Sequence, residues 1–236
     1  MWQSNTMSKI KVVLWDIDGT LLNFKAAEKV AIRKCFEVCE LGECSDEMIA
    51  TYSEINHKYW KKLELGEMSK PEILVGRFRE FFELEGLDVS KAEAFNAEYQ
   101  IRLGDTICFE DHALDVILEL KSKVKQYAVT NGTKVAQERK LANSGLDLLL
   151  DDVFISDVIG IEKPMQGFFD AVWEKIGSYE KGEVLIVGDS LTSDMQGGVN
   201  TGILTCWYNP NESQNDLGLF IDYEIRDLKE VLDLLD

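Results

Sequence analysis

A series of short apolar runs, each stopping abruptly near a polar residue, constrains the fold most. Ile10–Trp15 (IKVVLW) ends at Asp16, and Gln126–Thr130, Val153–Ser156, Val184–Gly188 and Ile203–Trp207 share its character. Runs of this length, rich in β-branched residues, suit strands buried on both faces, the habit of parallel sheets. Helical patterns lie between them at Ala113–Lys123, Lys134–Ser144, Gly167–Ile176 and Ser193–Asn200, and Ile225–Leu235 reads as a closing helix. Strands that alternate with helices predict an α/β fold with a doubly wound parallel sheet.

From Lys25 to about Asp105 the pattern changes to helical periodicity with no strand. Ser69-x-x-Glu72 and Ser90-x-x-Glu93 have the form of capping boxes, and Gly42, Gly66, Gly86 and Gly104 fall where helices should stop. About four helices are expected here, enough for a small bundle with its own core. Inserted after the first strand, the bundle would sit over the carboxyl edge of the sheet, where open α/β sheets bind ligands. The expected division is a sheet core of residues 1–22 and 106–236 and a helical cap of residues 23–105.

The formal net charge of −18 argues against nucleic-acid polymers and anionic membranes as partners. An anionic small molecule remains possible where a metal or a few placed lysines supply local positive charge. The cysteines are Cys35, Cys39, Cys44, Cys108 and Cys206, with no C-x-x-C pair, and the two histidines, His57 and His112, stand far apart. That spacing argues against a zinc site or a disulfide framework and for reduced thiols. With no apolar run of membrane-spanning length and no signal-peptide pattern, a cytoplasmic location is expected. Met1–Thr6 is polar and is followed by a second methionine, Met7, so it reads as an extension.

Four motifs carry chemistry. Asp16-Ile17-Asp18-Gly19-Thr20 follows the first strand, and residues two apart there can face one cleft while Gly19 permits the turn. Two carboxylates in one cleft have their protonation states pushed apart, as a nucleophile and an acid/base partner require. Val187-Gly188-Asp189-Ser190, continuing to Asp194, ends another strand and could add oxygen ligands for a hard cation, which makes Mg²⁺ the expected cofactor. Thr130 and Asn131, between a strand and a helix, are placed to hold phosphate oxygens. Lys163, in Glu162-Lys163-Pro164, could neutralise the nucleophile and the phosphate. Taken singly, each motif has a plain structural alternative: an acidic turn, a helix cap, a β-turn or a solvated lysine. Their order, each just after a strand, is hard to produce by accident.

The series DIDGT, TNG, EKP and GDSLTSD resembles the haloacid dehalogenase superfamily over nearly the whole chain. The resemblance implies that Asp16 is the nucleophile that forms an aspartyl-phosphate and Asp18 the acid/base. It further implies that Thr130 and Asn131 bind phosphate and that Lys163 stabilises the charged site. Mg²⁺ would be held by the side chains of Asp16 and Asp189 and the backbone carbonyl of Asp18, with Asp194 in support. The helical insertion resembles the superfamily's α-helical cap of the first type. Dehalogenases displace halide without a leaving-group acid, so Asp18 favours phosphoryl chemistry.

The stretches Leu21–Glu28, Tyr59-Trp60, Gly66–Ser69, Arg77-Phe78 and GDSLTSDMQGGVNTGILTCWYN are similar to a pyrimidine 5′-nucleotidase subfamily. Gly19 stands where many members carry a second acidic residue, and Asn23 where many carry aspartate. The expected substrate is a small phosphate ester, a nucleoside monophosphate, and the expected assembly a monomer or homodimer. Tyr59, Trp60 and Phe78 could stack on a base, although aromatics in a small helical bundle are more often core. Arg77 could stand beside a base or equally form a cap–core salt bridge. The alternatives are a sugar-phosphate or phosphoglycolate phosphatase or a phosphomutase on the same core. Outside enzymes, a phosphometabolite-binding or protein-interaction module remains.

Overall fold

The computed structural model describes residues 10–235. The extension Met1–Thr6 and the outermost residues of the expected core lie outside them. Six parallel strands form one sheet: β1 (Val12–Trp15), β2 (Lys125–Thr130), β3 (Asp152–Ile155), β4 (Val184–Gly188), β5 (Leu204–Tyr208) and β6 (Tyr223–Ile225). Their order is β3-β2-β1-β4-β5-β6, so β1 is central. Trp15 stands opposite Ala128 on one side and Val187 on the other, which brings the ends of β1, β2 and β4 into line.

The helices that follow are α1 (Phe24–Val38), α2 (Asp46–Glu64), α3 (Lys70–Leu84), α4 (Ala92–Asp105), α5 (Ala113–Leu120), α6 (Lys134–Ser144) and α7 (Leu146–Leu149). Beyond them lie α8 (Ser156–Ile159), α9 (Gln166–Ile176), α10 (Gln196–Thr201) and α11 (Glu230–Asp233). Alternate residues of β1 feed the two faces of the sheet. Val13 and Trp15 pack with Ile117 and Leu120 of α5 and Leu141 of α6. Val12 and Leu14 pack with Phe168, Phe169 and Val172 of α9. Both faces are therefore apolar, as the continuous runs require, and the fold is α/β with a doubly wound parallel sheet.

Helices α1 to α4 build a second core from Phe36, Tyr52, Phe78, Phe81, Phe82, Phe95 and Tyr99. Tyr52 and Phe78 stack at 4.9 Å with planes 9° apart, and edge-to-face neighbours surround them. Asn23 caps α1 by accepting from Ala26 N at 2.9 Å, which gives the amide at that position a local role. The Ser69–Glu72 capping box forms, with Ser69 N donating to Glu72 at 2.8 Å.

Several details differ from expectation. Ser90 does not open a helix; Asp88 accepts from Ser90 N at 3.0 Å and starts a 3₁₀ turn over Val89–Lys91 before α4. Gly104 stands one residue before the end of α4, so the helix does stop there, and a Cβ at this position would come within 2.7 Å of Arg139 Cβ, so it also serves close packing on α6. The closing helix expected over Ile225–Leu235 is only α11, because Tyr223–Ile225 pairs with Cys206–Tyr208 as β6. A turn in which Glu230 accepts from Arg226 N and Asp227 N then separates strand from helix. Among the described residues all five cysteines are free thiols, and no helix is long and apolar enough to cross a membrane.

Candidate active site

The ends of β1, β2 and β4 set the site. Asp16 N donates to Val187 O at 2.9 Å, so the chain is still tied to β4 as it leaves β1. It then turns through Gly19, whose φ is +94°. A Cβ at Gly19 would also meet Asp189 Oδ2 at 2.6 Å, so glycine lets the β1 and β4 loops close on each other. Thr20 Oγ1 bridges the same gap, donating toward Asp16 Oδ2 at 3.3 Å or Asp189 Oδ1 at 3.4 Å.

Lys163 enters from the loop after α8. Its Nζ donates to Asp16 Oδ1 at 2.8 Å, Asp194 Oδ1 at 2.7 Å and Val129 O at 2.7 Å, and the residue is 1% exposed. A buried ammonium is tolerable only with its donors satisfied, and here all three are used. Burial pulls its pKa down, but Asp16 and Asp194 outweigh that and hold it above its ordinary value. Asp194 is fully buried, accepting also from Ser190 N at 3.2 Å.

One lysine does not balance these carboxylates. Burial, with Asp194 and Asp18 adding repulsion against the pull of Lys163, pushes Asp16 up to about 7. Asp189 opens to the cavity, yet enclosure between the layers and the charges of Asp16, Asp194 and Glu64 raise it well above the usual carboxylate range. Oxygens of Asp16, Asp189 and Asp194 come within 4.8 Å of one another. Hard oxygen donors with surplus negative charge fit a magnesium-type ion, which would relieve the repulsion.

The remaining candidates sort themselves by partner. Thr130 is buried, and its Oγ1 accepts from Gly132 N at 3.1 Å, shaping the turn after β2. The Asn131 side chain clasps the backbone of Lys163, donating to its carbonyl and accepting from its N–H, both at 2.8 Å. Asn131 thereby sets where Lys163 stands. Asp18 is held from α6: Gln137 Nε2 donates to Oδ2 at 2.7 Å, and Lys140 Nζ pairs with Oδ1.

The helical layer closes over these groups and leaves a cavity of about 460 Å³ lined by Asp16, Asp18, Thr130, Trp60, Asn56 and Arg77, among others. Glu64, at the end of α2, accepts from Ser190 Oγ at 3.2 Å and from Thr192 Oγ1, linking the helical layer to the loop after β4. Lys70, at the start of α3, reaches Ser156 Oγ at 2.5 Å and Asp157 at 2.7 Å. Trp60 and Arg77 face the cavity, whereas Phe78 is wholly buried in the aromatic core and Tyr59 packs on Gly76. The salt bridge from Arg77 to the sheet core does not form among the described residues: its guanidinium donates within the helical layer, to Asn56 Oδ1 at 2.6 Å and Asn96 Oδ1 at 3.1 Å.

Sequence reasoning passed over Thr20, Glu64, Gln137 and Lys140. The signal for the last two was available: Gln137-x-x-Lys140 sets two polar side chains one turn apart on the face of α6 that buries Ala136 and Leu141.

Residues 10–202 match the model of the haloacid dehalogenase-like hydrolases. The chain belongs to this family. It is thus an enzyme of hydrolase type, as the resemblance implied. Among relatives, it is 35% identical to the HAD-hydrolase YfnB of Bacillus subtilis, over 97% of both chains. It is 36% identical to the pyrimidine 5′-nucleotidase PynA of Streptococcus pneumoniae, over 96% of this chain and 95% of that one. A crystal structure of YfnB bound to magnesium superimposes with a TM-score of 0.91 at 34% identity, covering 97% of this chain and 99% of the other; it reveals interdomain movement in that protein.

Proposed function

We propose that this haloacid dehalogenase-like hydrolase is a magnesium-dependent phosphatase that works through an aspartyl-phosphate on Asp16. Its substrates are pyrimidine nucleoside 5′-monophosphates. One observation carries the phosphatase reading: Asp16 is fixed by Lys163 while a second carboxylate, Asp18, stands two residues on in the same cavity. Similarity to PynA supports the nucleotide part.

Lys163 and Thr20 orient the Asp16 carboxylate, and the turn of Thr130 and Asn131 holds the phosphate oxygens. Asp16 attacks phosphorus as the bond from phosphorus to the 5′ oxygen breaks, and Asp18 gives its proton to that departing oxygen. Asp18, now a carboxylate, takes a proton from water as the water oxygen attacks phosphorus. The bond between phosphorus and Asp16 then breaks, releasing inorganic phosphate and restoring both aspartates. Asp16, Asp189 and the carbonyl of Asp18, with Asp194 in support, would hold magnesium, which would supply positive charge to offset that of the transferring phosphoryl group.

Residues 23–105 act as the cap domain over a core of residues 1–22 and 106–236, and closure excludes water from the reacting groups. The cap also presents polar groups to the cavity. Asn56 donates to Glu28 at 2.7 Å and accepts from Arg77, so its amide is fixed in one orientation in the cavity wall. Free thiols suit a reducing compartment such as the cytoplasm.

The test is phosphate release from dUMP, UMP, phosphoglycolate and a hexose phosphate, with and without Mg²⁺. Preference for the pyrimidine nucleotides in magnesium is the expected result. Preference for the sugar or glycolate ester would sink the nucleotidase reading. Failure to hydrolyse even p-nitrophenyl phosphate would sink the phosphatase.

A further inference from the structure

The family's motifs account for Asp16, Asp18, Lys163 and Asp189, but not for a buried lysine on α6. Lys140 is 1% exposed, as deep as Lys163. A cation at that depth is costly unless a partner compensates it. Among the described residues its one ion-pair partner is Asp18, and its ammonium also lies 5.4 Å from the centre of the Phe24 ring.

Gln137, three residues earlier on the same face of the helix, meets the other oxygen of Asp18 through Nε2 at 2.7 Å. This geometry leaves Gln137 Oε1 buried without a hydrogen-bond partner. The amide thus faces Asp18 at the expense of its own carbonyl; turned over, it would set oxygen against oxygen. Room for it comes from Gly132, where a Cβ would stand 2.1 Å from Gln137 Nε2. The glycine after Thr130-Asn131 therefore also lets α6 reach across to the loop after β1.

We infer that Lys140 and Gln137 are positioning residues, a two-pronged fork that fixes the Asp18 carboxyl for proton transfer to the leaving group. Both prongs only donate, so they hold Asp18 as the ionised partner of Lys140 and equally as the acid, its proton then aimed at the departing oxygen. Each prong takes one oxygen, so the side chain cannot swing about its own bonds. Alignment of a proton donor matters most when the departing oxygen is a poor leaving group. An alkoxide such as a nucleoside 5′ oxygen needs the proton as its bond to phosphorus breaks; p-nitrophenolate departs without it. Lys140 and Gln137 themselves touch neither phosphorus nor the departing atom in this scheme.

The inference rests on the phosphatase reading of the same site, and the test separates the two. Values of kcat/KM, which report the steps through transfer of the phosphoryl group to Asp16, are measured with Mg²⁺ for a series of aryl phosphates of graded leaving-group acidity, and for dUMP. A wild-type enzyme inactive on all of them removes the reading itself. For Lys140→Met the expected loss is roughly 100-fold on the least acidic leaving groups and only a few-fold on p-nitrophenyl phosphate. Lys140→Arg, which keeps a charged donor, should recover part of the difference. A structural staple alone would lower the whole series equally, and that flat result overturns the inference. If Lys140→Met does not fold, Gln137→Leu carries the same test, since it removes a neutral prong and leaves the ion pair intact.

Discussion

The sheet and the cap bury charge in opposite ways. At the strand ends, full charges meet directly: Lys163 touches Asp16 and Asp194, and Lys140 touches Asp18. In the cap, Glu28 and Arg77 are separated by the neutral amide of Asn56, and Ser53 satisfies the second oxygen of Glu28 at 2.6 Å. Arg77 also lies 4.9 Å from the Phe78 ring and 5.2 Å from the Tyr99 ring, so aromatic faces share in stabilising it. In the proposed mechanism the direct pairs hold the groups that trade protons and bonds. A chain spaced by amides instead holds a fixed pattern of donors and acceptors, which suits recognition and not reaction.

The comparison breaks most sharply at its reactive end. Asp16→Asn and Asp189→Ala should each lower turnover of p-nitrophenyl phosphate and of dUMP alike, by roughly four orders of magnitude or more. Circular dichroism and thermal melting should show the fold kept, because Lys163 retains Asp194 and Val129 O as partners in the first variant. Substantial activity in pure Asp16→Asn protein would remove Asp16 as nucleophile.

Lys163→Met tests whether the direct pairs also hold the core together. It leaves Asp16 and Asp194 buried without their cation, and breaking a buried pair from one side costs about 3–5 kcal/mol. Urea unfolding in magnesium-free buffer measures it. An unchanged midpoint would mean that water enters the site and screens the carboxylates. Magnesium should recover part of the lost stability by binding the folded state.

On the recognition side, Asn56→Ala should separate the two regions. Losing the spacer leaves Glu28 and Arg77 each short of a partner and takes the fixed amide from the cavity wall. The value of kcat/KM for dUMP should fall roughly 10- to 100-fold, while p-nitrophenyl phosphate, which has no base, should lose far less. Equal losses on both substrates would return Asn56 to a purely structural role in the cap.

The two regions also differed in how far the sequence disclosed them. Asp16, Asp18, Thr130 and Asp189 were legible because each follows an apolar run, and a parallel sheet gathers such strand ends along one edge. Lys163 was legible only through its motif, since no pattern in Ile161–Pro164 foretells burial. The short strand Tyr223–Ile225 was hidden because three residues carry no period that survives beside a helical pattern. In the cap, helices were readable from spacing and caps, but their polar interior was not. Glu28, Asn56 and Arg77 come from three helices, and only packing brings them together. The aromatic residues of Tyr59 to Phe78 likewise divided between wall and core by helix rotation, which a single sequence does not fix.

Glu64 joins the regions, and its charge should set a modest pH dependence of stability. Burial first, then the nearby Asp194, push it from 4.5 up to about 7, against the hydrogen bond from Thr192. The folded protein therefore holds a proton between pH 4.5 and about 7 that the unfolded chain has released. Stability contributed at this site falls as pH rises through that window and stays flat above it, since the unfolded state binds fewer protons there. Glu64→Gln removes the titration yet keeps an oxygen for Ser190 and Thr192. In magnesium-free buffer the variant should match the parent near pH 4 and exceed it by about 1–2 kcal/mol above pH 7, the partial exposure of the side chain limiting the gain. Thermal melting across this range measures the difference. Parallel curves for parent and variant would show Glu64 ionised throughout, held by the hydroxyls of the core loop and not by burial.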